Sequence, residues 1–422
     1  MHRKTTVRQS GKYFWKTIQR LILVTMLHQI NFANADELQS NEQSCELIWV
    51  APSHISRLGD RLVNQSWSLC QAPEYLGNLL VCSFPPDQLL AIDPASGKRE
   101  WESVYRTRPE NIALIEAIIA KFPTHEWHNR FTSFTRVLNS SLVIGISSTE
   151  NCLIACDALD DGKIAWRSLG NATQNDSFRN SFLVPLGPPV NYKGKLLCIV
   201  RDKNGYRLIE INPSTGDLAN SEHDIFLSGE SVEDCFQACS PVVFDDTLVC
   251  PLPNGDVFGL AIVSGKIAWK TSLNNCFKKP FEVLRNGNLM IIREGHHLWC
   301  VDSRTGRVTW SKSGLGSLPI SMQDKTMLFT REDQVDCIET GSGVVRWSKA
   351  ANENDKFTGK SFSANGCVYV PVGKSSIIEL DEQSGKDTNR FYSPISLGSL
   401  YKHGDDTFLS IDLSQIALLR LP

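Results

Sequence analysis

Two pairs of residues have the spacing to form a disulfide or to bind a metal. Cys235 and Cys239 lie four residues apart in a polar segment, so a disulfide between them is one prediction. His125 and His128 lie three residues apart, which would place both imidazoles on one face of a helix. Because no third ligand follows at a metal-binding spacing, we interpret this segment as a polar loop and predict no metal site.

The sequence lacks the usual signatures of a catalytic site. It has neither a glycine-rich phosphate loop leading into a helix nor a G-x-S-x-G nucleophile motif. The thirteen cysteines are an odd number, so at least one thiol must be unpaired. Five of them lie in apolar runs, where we expect buried thiols that act as small hydrophobes: Cys82, Cys198, Cys250, Cys300 and Cys367. No catalytic residue is predicted.

The elements that would position any site belong to a repeat. Seven segments align on a glycine, and these glycines are 37 to 65 residues apart, with an average spacing of 48. They are Gly97, Gly162, Gly216, Gly265, Gly306, Gly343 and Gly385. A repeat of this length indicates a solenoid or a propeller.

Each repeat has the pattern of a β-hairpin. An apolar strand ends at an acidic or amide residue whose side chain can accept a backbone hydrogen bond and begin a turn, and four of these are Asp93, Asp157, Asp302 and Asp381. The glycine then supplies the left-handed backbone that completes the turn. A second strand follows, and in five repeats it carries a tryptophan four residues after the glycine: Trp101, Trp166, Trp269, Trp310 and Trp347.

Counting the strands predicts a closed ring. Eight apolar strands are entered through a turn, against seven glycine motifs, and the chain ends after the third strand of the last unit. The N-terminal segment 46–51, which contains Trp49, resembles the tryptophan strand at 163–168 and could supply the missing fourth strand. Such pairing removes both free edges. We therefore predict an all-β propeller of eight four-stranded antiparallel blades, with seven blades as the alternative.

The repeat resembles that of a known family. Ala91, Asp93, Ser96, Gly97 and Trp101 match the pattern A-x-D-x-x-[ST]-G-x-x-x-W of quinoprotein-type propellers, the PQQ-like repeats. The resemblance covers residues 46–421. It implies that the tryptophans, including Trp49, dock between neighbouring blades, where buried indoles contribute a large apolar area.

The chain departs from this pattern at three positions. Asn220 and Asn389 stand where the pattern has tryptophan, and Ala261 stands where it has an acidic turn residue. We expect looser packing at those seams.

The resemblance implies one of two functions. Some members are dehydrogenases that oxidise alcohols or sugars with PQQ and Ca²⁺ on the axis, often beneath a disulfide of adjacent cysteines, and others are scaffolds that bind proteins without catalysis. This sequence has no Cys-Cys dipeptide and lacks the extra length of the dehydrogenases. We therefore predict a non-catalytic scaffold without a cofactor, with the PQQ- and calcium-dependent dehydrogenase as the alternative.

The first 35 residues predict export. They contain six Lys/Arg and no Asp/Glu, then an apolar stretch from Leu21 to Leu27, and end at Ala33-Asn34-Ala35. This order is typical of a signal peptide, 1–35, before a propeller at 36–422 in the periplasm or secreted. An uncleaved amphipathic segment is the alternative. Residues 36–422 contain nine more acidic than basic residues, so we exclude nucleic acid as a partner and predict a monomer without a transmembrane span.

Three long segments between repeats predict a binding surface. These segments, 104–138, 170–190 and 221–240, should emerge on one face of the ring. The first contains a predicted helix at 108–121, which has Pro109 in its first turn and isoleucines at helical spacing. We expect this face to bind a protein or peptide. Alternatively, the helix only caps the ring and packs its apolar side on the blades.

Overall fold

The computed structural model describes residues 43–52, 73–84, 88–104, 134–136, 141–147, 152–169, 183–219, 224–229, 240–273, 281–294, 297–314, 321–322, 325–353, 355–404, 406–411 and 415–422. The predicted signal peptide, the helix at 108–121, the histidine pair, Asn220 and the Cys235–Cys239 pair lie outside these residues. The chain divides into the units Met1–Gln43 and Ser44–Pro422. Across the described part of the chain every regular element is a strand, and no helix is long and apolar enough to cross a membrane.

The second unit is a ring of eight antiparallel blades. Two strands precede the first blade, β1 (Gln43–Ser44) and β2 (Glu46–Pro52). Blade 1 contains β3 (Glu74–Leu76), β4 (Leu79–Phe84), β5 (Gln88–Ile92) and β6 (Arg99–Val104). Blade 2 contains β7 (Phe134–Arg136), β8 (Leu142–Ser147), β9 (Cys152–Asp157) and β10 (Lys163–Ser168). Blade 3 contains β11 (Val184–Pro185), β12 (Val190–Tyr192), β13 (Lys195–Asp202), β14 (Gly205–Ile211) and β15 (Ile225–Ser228). Blade 4 contains β16 (Val242–Phe244), β17 (Thr247–Pro251), β18 (Asp256–Ala261) and β19 (Lys266–Ser272).

The second half of the ring is built in the same way. Blade 5 contains β20 (Phe281–Asn286), β21 (Leu289–Glu294), β22 (His297–Asp302) and β23 (Val308–Lys312). Blade 6 contains β24 (Ser321–Met322), β25 (Thr326–Thr330), β26 (Gln334–Glu339) and β27 (Val345–Ala350). Blade 7 contains β28 (Phe362–Ala364), β29 (Cys367–Val372), β30 (Ser376–Asp381) and β31 (Asp387–Tyr392). Blade 8 contains β32 (Ser399–Lys402), β33 (Thr407–Ile411) and β34 (Gln415–Arg420), and β2 is its outer strand.

The closure of the ring by an N-terminal strand is confirmed. Strand β2 pairs antiparallel with β34, from Glu46 opposite Arg420 to Pro52 opposite Gln415. An ion pair of 2.6 Å joins the side chains of Arg420 and Glu46 at one end of this ladder. The predicted number of eight blades is also confirmed, so the alternative of seven is wrong.

The burial of each strand explains its sequence. The middle strands are covered on both faces by neighbouring blades and therefore form continuous apolar runs, such as the fully buried CLIAC of β9. Outer strands are buried mainly at the tryptophan, as in KIAWRS of β10. The apolar core lies in the seams, because the clusters of buried side chains combine residues of neighbouring blades.

The antiparallel order of the strands gives the ring two different faces. The turn between the first and second strands and the glycine turn between the third and fourth strands lie on one side, which we name the turn face. The loop between the second and third strands and the crossing to the next blade lie on the other side, the crossing face.

Blade 3 departs from this plan. Its second strand, β13, pairs with both β11 and β12, so the blade has two short inner strands. Its outer side is interrupted as well, because Leu218 forms an isolated bridge to Ile211 and β15 begins only at Ile225.

Candidate functional site

The tryptophans bridge neighbouring blades at six of the eight seams. Each indole N–H donates a hydrogen bond to a backbone carbonyl in the glycine turn of the next blade. The donors and acceptors are Trp49 and Pro94 (2.9 Å), Trp101 and Ala158 (2.8 Å), Trp166 and Pro213 (2.9 Å), Trp269 and Ser303 (3.0 Å), Trp310 and Thr340 (2.9 Å), and Trp347 and Glu382 (2.8 Å). Trp269 and Trp310 are half-buried and the other four indoles are buried.

Each indole covers the glycine of the turn that receives it. A Cβ atom added to one of these glycines would lie 2.4–2.7 Å from the indole ring, closer than any real Cβ contact. The glycines are Gly97, Gly162, Gly216, Gly306, Gly343 and Gly385. All six also have positive φ, and so does Gly265, the glycine of blade 4. The motif therefore needs glycine for two reasons, backbone conformation and close approach of an aromatic ring.

The acidic residues of the repeat are used within their own turns. The carboxylate of Asp93 accepts hydrogen bonds from the Ala95 N–H at 3.0 Å and from the Ser96 hydroxyl, and the Ser96 bond is the main cause that lowers the pKa of Asp93. Asp157 accepts from the Leu159 N–H at 2.9 Å.

Asp302 and Asp381 are held in the same way. Burial raises the pKa of Asp302, but hydrogen bonds from Thr305 and Arg304 outweigh it and the net pKa is lowered. Hydrogen bonds from the Ser384 hydroxyl and N–H lower the pKa of Asp381. These carboxylates are therefore held ionised as turn acceptors.

The seam between blades 7 and 8 has no tryptophan, and the topology explains why. Asn389 occupies the tryptophan position of β31, but blade 8 has no glycine turn that could receive an indole. The chain ends after β34, where the Leu421 N–H donates to the Asp406 carbonyl at 2.8 Å, and the outer strand of that blade comes from the N-terminal segment. The missing tryptophan coincides with the point of ring closure.

A buried carboxylate takes the place of the indole at this seam. Glu379 is 9% exposed and accepts hydrogen bonds from Tyr369 Oη (2.8 Å), Thr388 Oγ1 (2.8 Å) and Asn389 Nδ2 (2.6 Å). Burial raises its pKa, but these donors together outweigh burial and the net pKa is lowered. Burial, followed by the hydrogen bond to Glu379, raises the pKa of Tyr369.

Aromatic rings fill the rest of this seam. Phe362 stacks on Tyr369 with 4.8 Å between ring centroids and on Phe408 of blade 8 with 5.7 Å. This arrangement was not predicted, although Asn389 in place of tryptophan was its one sign in the sequence.

The other seam without a tryptophan lies between blades 3 and 4. The receiving turn of blade 4 begins at Ala261, which has no carboxylate, although its backbone bonds are those of the other turns: the Ile262 N–H donates to the Asp246 carbonyl at 2.9 Å and the Gly265 N–H to the Ala261 carbonyl at 2.9 Å. A large apolar cluster crosses this seam and includes Tyr206, Phe244 and Phe258. In both exceptional seams, the turn that would receive the indole is absent or altered.

The cysteines in the strands are placed as buried apolar groups. Cys82, Cys198, Cys250 and Cys300 are buried, and Cys367 is half-buried. Burial raises the pKa of Cys198, Cys250 and Cys300. A raised pKa keeps a thiol protonated at neutral pH, so these side chains are poor nucleophiles.

The inner-strand side chains that the structure describes do not combine the groups that a quinone site needs. Such a site needs an aromatic floor, cations for the quinone carboxylates and an aspartate base. Among the inner-strand side chains that the structure describes, the charged ones are Glu74, Arg285 and Lys402, and none is an aspartate. Arg285 donates to the Val243 carbonyl at 2.8 Å and covers the Phe244 ring. This cation is therefore used between blades 4 and 5, and the described residues do not fit PQQ.

Comparisons with solved structures agree with this fold. BamB from Moraxella catarrhalis has a TM-score of 0.56 and 12% identity, covering 89% of this chain and 100% of that one. A quinohemoprotein alcohol dehydrogenase from Pseudomonas putida HK5 has a TM-score of 0.58 and 9% identity, covering 91% and 78%. Sqt1 from Saccharomyces cerevisiae has a TM-score of 0.58 and 10% identity, covering 90% and 100%. At these identities the likeness shows the fold alone.

Sequence comparison goes further than the structural likeness. No curated protein sequence matches the chain. The protein family described as outer membrane protein assembly factor BamB matches at residues 124–279, 227–318 and 293–392, which together span more than half of the chain. The chain therefore belongs to the BamB-type family of PQQ-like repeat propellers.

Proposed function

We propose that this protein is a non-catalytic propeller that binds another protein or peptide outside the cytoplasm. One observation carries the proposal: the repeat side chains that could do chemistry already have structural partners. The six indoles at the tryptophan seams donate to neighbouring turns, and the turn carboxylates accept from their own turns. The inner strands add no aspartate among their described side chains. What distinguishes one blade from another is the length of its connections.

The connections are longest over one arc of the crossing face. Blade 1 leads into blade 2 through 29 residues, blade 2 into blade 3 through 15, and blade 3 into blade 4 through 13. Blades 4 and 5 are each followed by crossings of eight residues, blade 6 by eleven and blade 7 by six, whereas 21 residues lead from β2 of blade 8 into blade 1. Four crossings are therefore longer than eleven residues, and they are consecutive around the ring from blade 8 to blade 4. Three of them overlap the segments 104–138, 170–190 and 221–240, and we assign the partner-binding surface to these segments.

The compartment follows from the same proposal. The family is described by a factor for outer membrane protein assembly, and the N-terminal 35 residues have the order of a signal peptide. We therefore expect the mature protein to begin at Asp36 and to be periplasmic or secreted. N-terminal sequencing of the protein purified from its natural host tests this, and an intact Met1 would contradict export.

The rival function is a dehydrogenase that uses PQQ and Ca²⁺. The similar fold of the Pseudomonas putida enzyme is what favours it. Purified protein should be incubated with PQQ and Ca²⁺, gel-filtered, and assayed by absorbance and by dye-linked oxidation of alcohols and aldoses. We expect no retained quinone and no turnover. Stoichiometric PQQ with turnover would overturn the scaffold proposal.

Partner binding is tested by shortening one crossing and leaving the blades intact. In the variant, residues 107–131 are replaced by a short Gly-Ser linker, which preserves β6 and β7. In the control, 315–318 is replaced by Gly-Ser-Gly-Ser, which alters a short crossing on the same face. Partners cross-linked to the natural protein are identified, purified and tested for rebinding. We expect the first variant to lose binding and the control to keep it, with matching melting temperatures; equal binding by both would contradict the assignment.

A further inference from the structure

A cavity of about 440 Å³ opens on the turn face at the seam between blades 1 and 2. One wall is the turn between β3 and β4, and another is the glycine turn of blade 2 from Ala158 to Asp161. Glu100 and Trp101 of β6 complete it. The cavity lies opposite the crossing face and is separate from the surface proposed above.

Two other seams show what normally crosses this space. Between blades 4 and 5, Arg304 reaches Asp245 with 3.9 Å between the charged atoms. Between blades 5 and 6, Asn286 Nδ2 donates to Thr340 Oγ1 at 3.2 Å. In both cases a side chain at the first turn of one blade meets a side chain in the glycine turn of the next blade.

At the equivalent described positions, the seam between blades 1 and 2 has no residues that could form either bridge. Strand register places Gly77 where blade 4 has Asp245, and Leu76 where blade 5 has Asn286. In the receiving turn, Leu159 replaces the arginine and Ala158 replaces the threonine. The space that is bridged elsewhere is therefore left open here.

The chemistry of the cavity indicates what would fill it. Leu79 and Trp101 give it an apolar interior, and the indole N–H of Trp101 is already bonded to Ala158. Leu159, which is 72% exposed, and the acidic residues Glu100 and Asp161 also line the cavity. A long aliphatic stem ending in a cation complements an apolar interior with an acidic lining.

We propose that this cavity binds a basic side chain, lysine or arginine, from an extended segment of a partner protein. The proposal rests on the proposed protein-binding function and adds a second contact surface on the turn face. The guest cation would take the place that Arg304 occupies between blades 4 and 5, with its stem against Leu159 and Trp101.

Two lysines of the chain lie near the cavity, but both form exposed ion pairs. Lys98 Nζ lies 3.0 Å from Glu100, but its side chain is 71% exposed. Lys163 pairs with Asp160 at 2.6 Å, and both of these side chains are largely exposed. Exposed ion pairs of this kind contribute little free energy, so an incoming cation can compete with Lys98 for Glu100.

The test uses the tripeptide amide acetyl-Leu-Lys-Leu, its arginine analogue, and the neutral acetyl-Leu-Gln-Leu amide. The full chain is labelled with 5-fluorotryptophan, and the Trp101 signal is assigned by its loss in Trp101→Phe. We expect the basic peptides, at low ionic strength, to shift this signal in a saturable way and the neutral one to leave it in place. The relative affinity of the two basic peptides identifies the preferred guest.

Charge variants locate the binding. Glu100→Gln combined with Asp161→Asn should weaken binding by roughly tenfold. Asn is suitable at 161 because it tolerates the positive φ of 51° found there. Lys98→Gln should strengthen binding, because it removes the competing cation, and Asp160→Asn should leave the affinity unchanged because Asp160 does not line the cavity.

Two results would overturn the proposal: no shift of the Trp101 signal at millimolar peptide, or equal binding of basic and neutral peptides. Both are independent of partner capture by the crossing face. If the peptides do not bind but the 107–131 replacement still abolishes partner binding, only the proposal for the cavity is rejected. If the basic peptides bind but the 107–131 replacement keeps partner binding, only the assignment of the partner-binding surface to the crossing face is rejected.

Discussion

Blade 7 takes part in two seams that are closed in different ways. On one side its glycine turn receives Trp347 of blade 6, whose indole N–H donates to the Glu382 carbonyl at 2.8 Å. On the other side its outer strand presents Asn389, which binds the buried carboxylate of Glu379 instead of a neighbouring turn. The two seams share a blade and its strand plan. They differ in what the next blade offers, since blade 7 has a glycine turn and blade 8 takes its fourth strand from the N-terminal segment.

This comparison shows that a tryptophan and the glycine turn that receives it form one unit, which is shared by two neighbouring blades. Within a single repeat, the indole and the glycine four residues before it belong to different seams. Each indole contacts the glycine of the following repeat, as Trp166 contacts Gly216. A repeat that precedes a missing or altered turn is therefore free to lose its tryptophan, and this holds for both exceptions.

The largest expected effect comes from emptying a tryptophan seam. Trp166→Ala leaves a cavity among buried side chains of blades 2 and 3, and it removes the indole N–H that donates to the Pro213 carbonyl. We therefore expect a loss of about 3–5 kcal/mol in unfolding free energy. Denaturant unfolding measures it. The control is Val263→Ala, where the side chain is 83% exposed and the change should stay within about 0.5 kcal/mol. Similar losses for both variants would show that the indole does not hold the seam.

The next effect separates the two requirements for glycine. Gly216 and Gly366 have the same φ of 77°, but only Gly216 lies beneath an indole, and a Cβ on Gly366 would meet nothing within 4 Å. Gly366→Ala should cost about 1–2 kcal/mol for the left-handed backbone alone. Gly216→Ala should cost a further 1–3 kcal/mol or so from overpacking against Trp166. Thermal and denaturant unfolding of both variants give the difference, and equal losses would refute close approach of the indole.

A smaller effect concerns the polar seam. The pKa of Glu379 is lowered in the folded protein, so its ionised form contributes stability above the unfolded pKa of about 4.3, and this contribution is lost as the pH falls through the folded pKa. Glu379→Gln should therefore lower stability at neutral pH by about 1.5–3 kcal/mol and reduce the loss on acidification.

Tyr369→Phe provides the companion measurement for this carboxylate. It removes the donor to Glu379 Oε1 and so raises the folded pKa of this carboxylate, and the acid loss should therefore be smaller and be complete at a higher pH than in the natural protein. Melting temperatures recorded from pH 7 down to pH 3 distinguish these outcomes. A Glu379→Gln profile with the same slope as the natural protein would show that this carboxylate does not contribute.

The sequence predicts the repetitive part of this molecule and much less of its exceptions. Alternating and apolar runs, turn acids and the shared glycine are local features, so the eight blades and the closing strand could be predicted. The Glu379 network could not be predicted, because Tyr369 joins it from β29 and Thr388 and Asn389 join it from β31, and the sequence does not state the register of these strands. The cavity beside Leu159 was not predicted either, because it depends on the absence of bridging side chains from two different turns, one in blade 1 and one in blade 2.

The smallest effect tests the explanation for the missing tryptophan directly. Asn389→Trp in the natural chain places an indole where no glycine turn receives it, and we expect a loss of about 1 kcal/mol in unfolding free energy. A circular permutant supplies the turn. It begins at Ser53, and Leu419 is joined to Leu47 through Asp-Pro-Ala-Ser-Gly-Lys, the turn of blade 1. The linker has the length of the natural turn, because that turn joins Ile92 to Arg99, which lie opposite each other in blade 1. Leu419 and Leu47 lie opposite each other in the same way in blade 8.

In the permutant, the same substitution should become neutral or stabilising, because the indole gains a carbonyl acceptor and a glycine to cover. The loss of the Asn389 bond to Glu379 is common to the paired measurements. The permutant also lacks the bond from the Cys45 N–H to the Tyr392 carbonyl on β31, so the double difference reports the combined change around residue 389. An equal loss in both chains would mean that the seam itself rejects the indole. The aromatic stack of Phe362, Tyr369 and Phe408 would then be the reason for the missing tryptophan, and ring closure would be incidental.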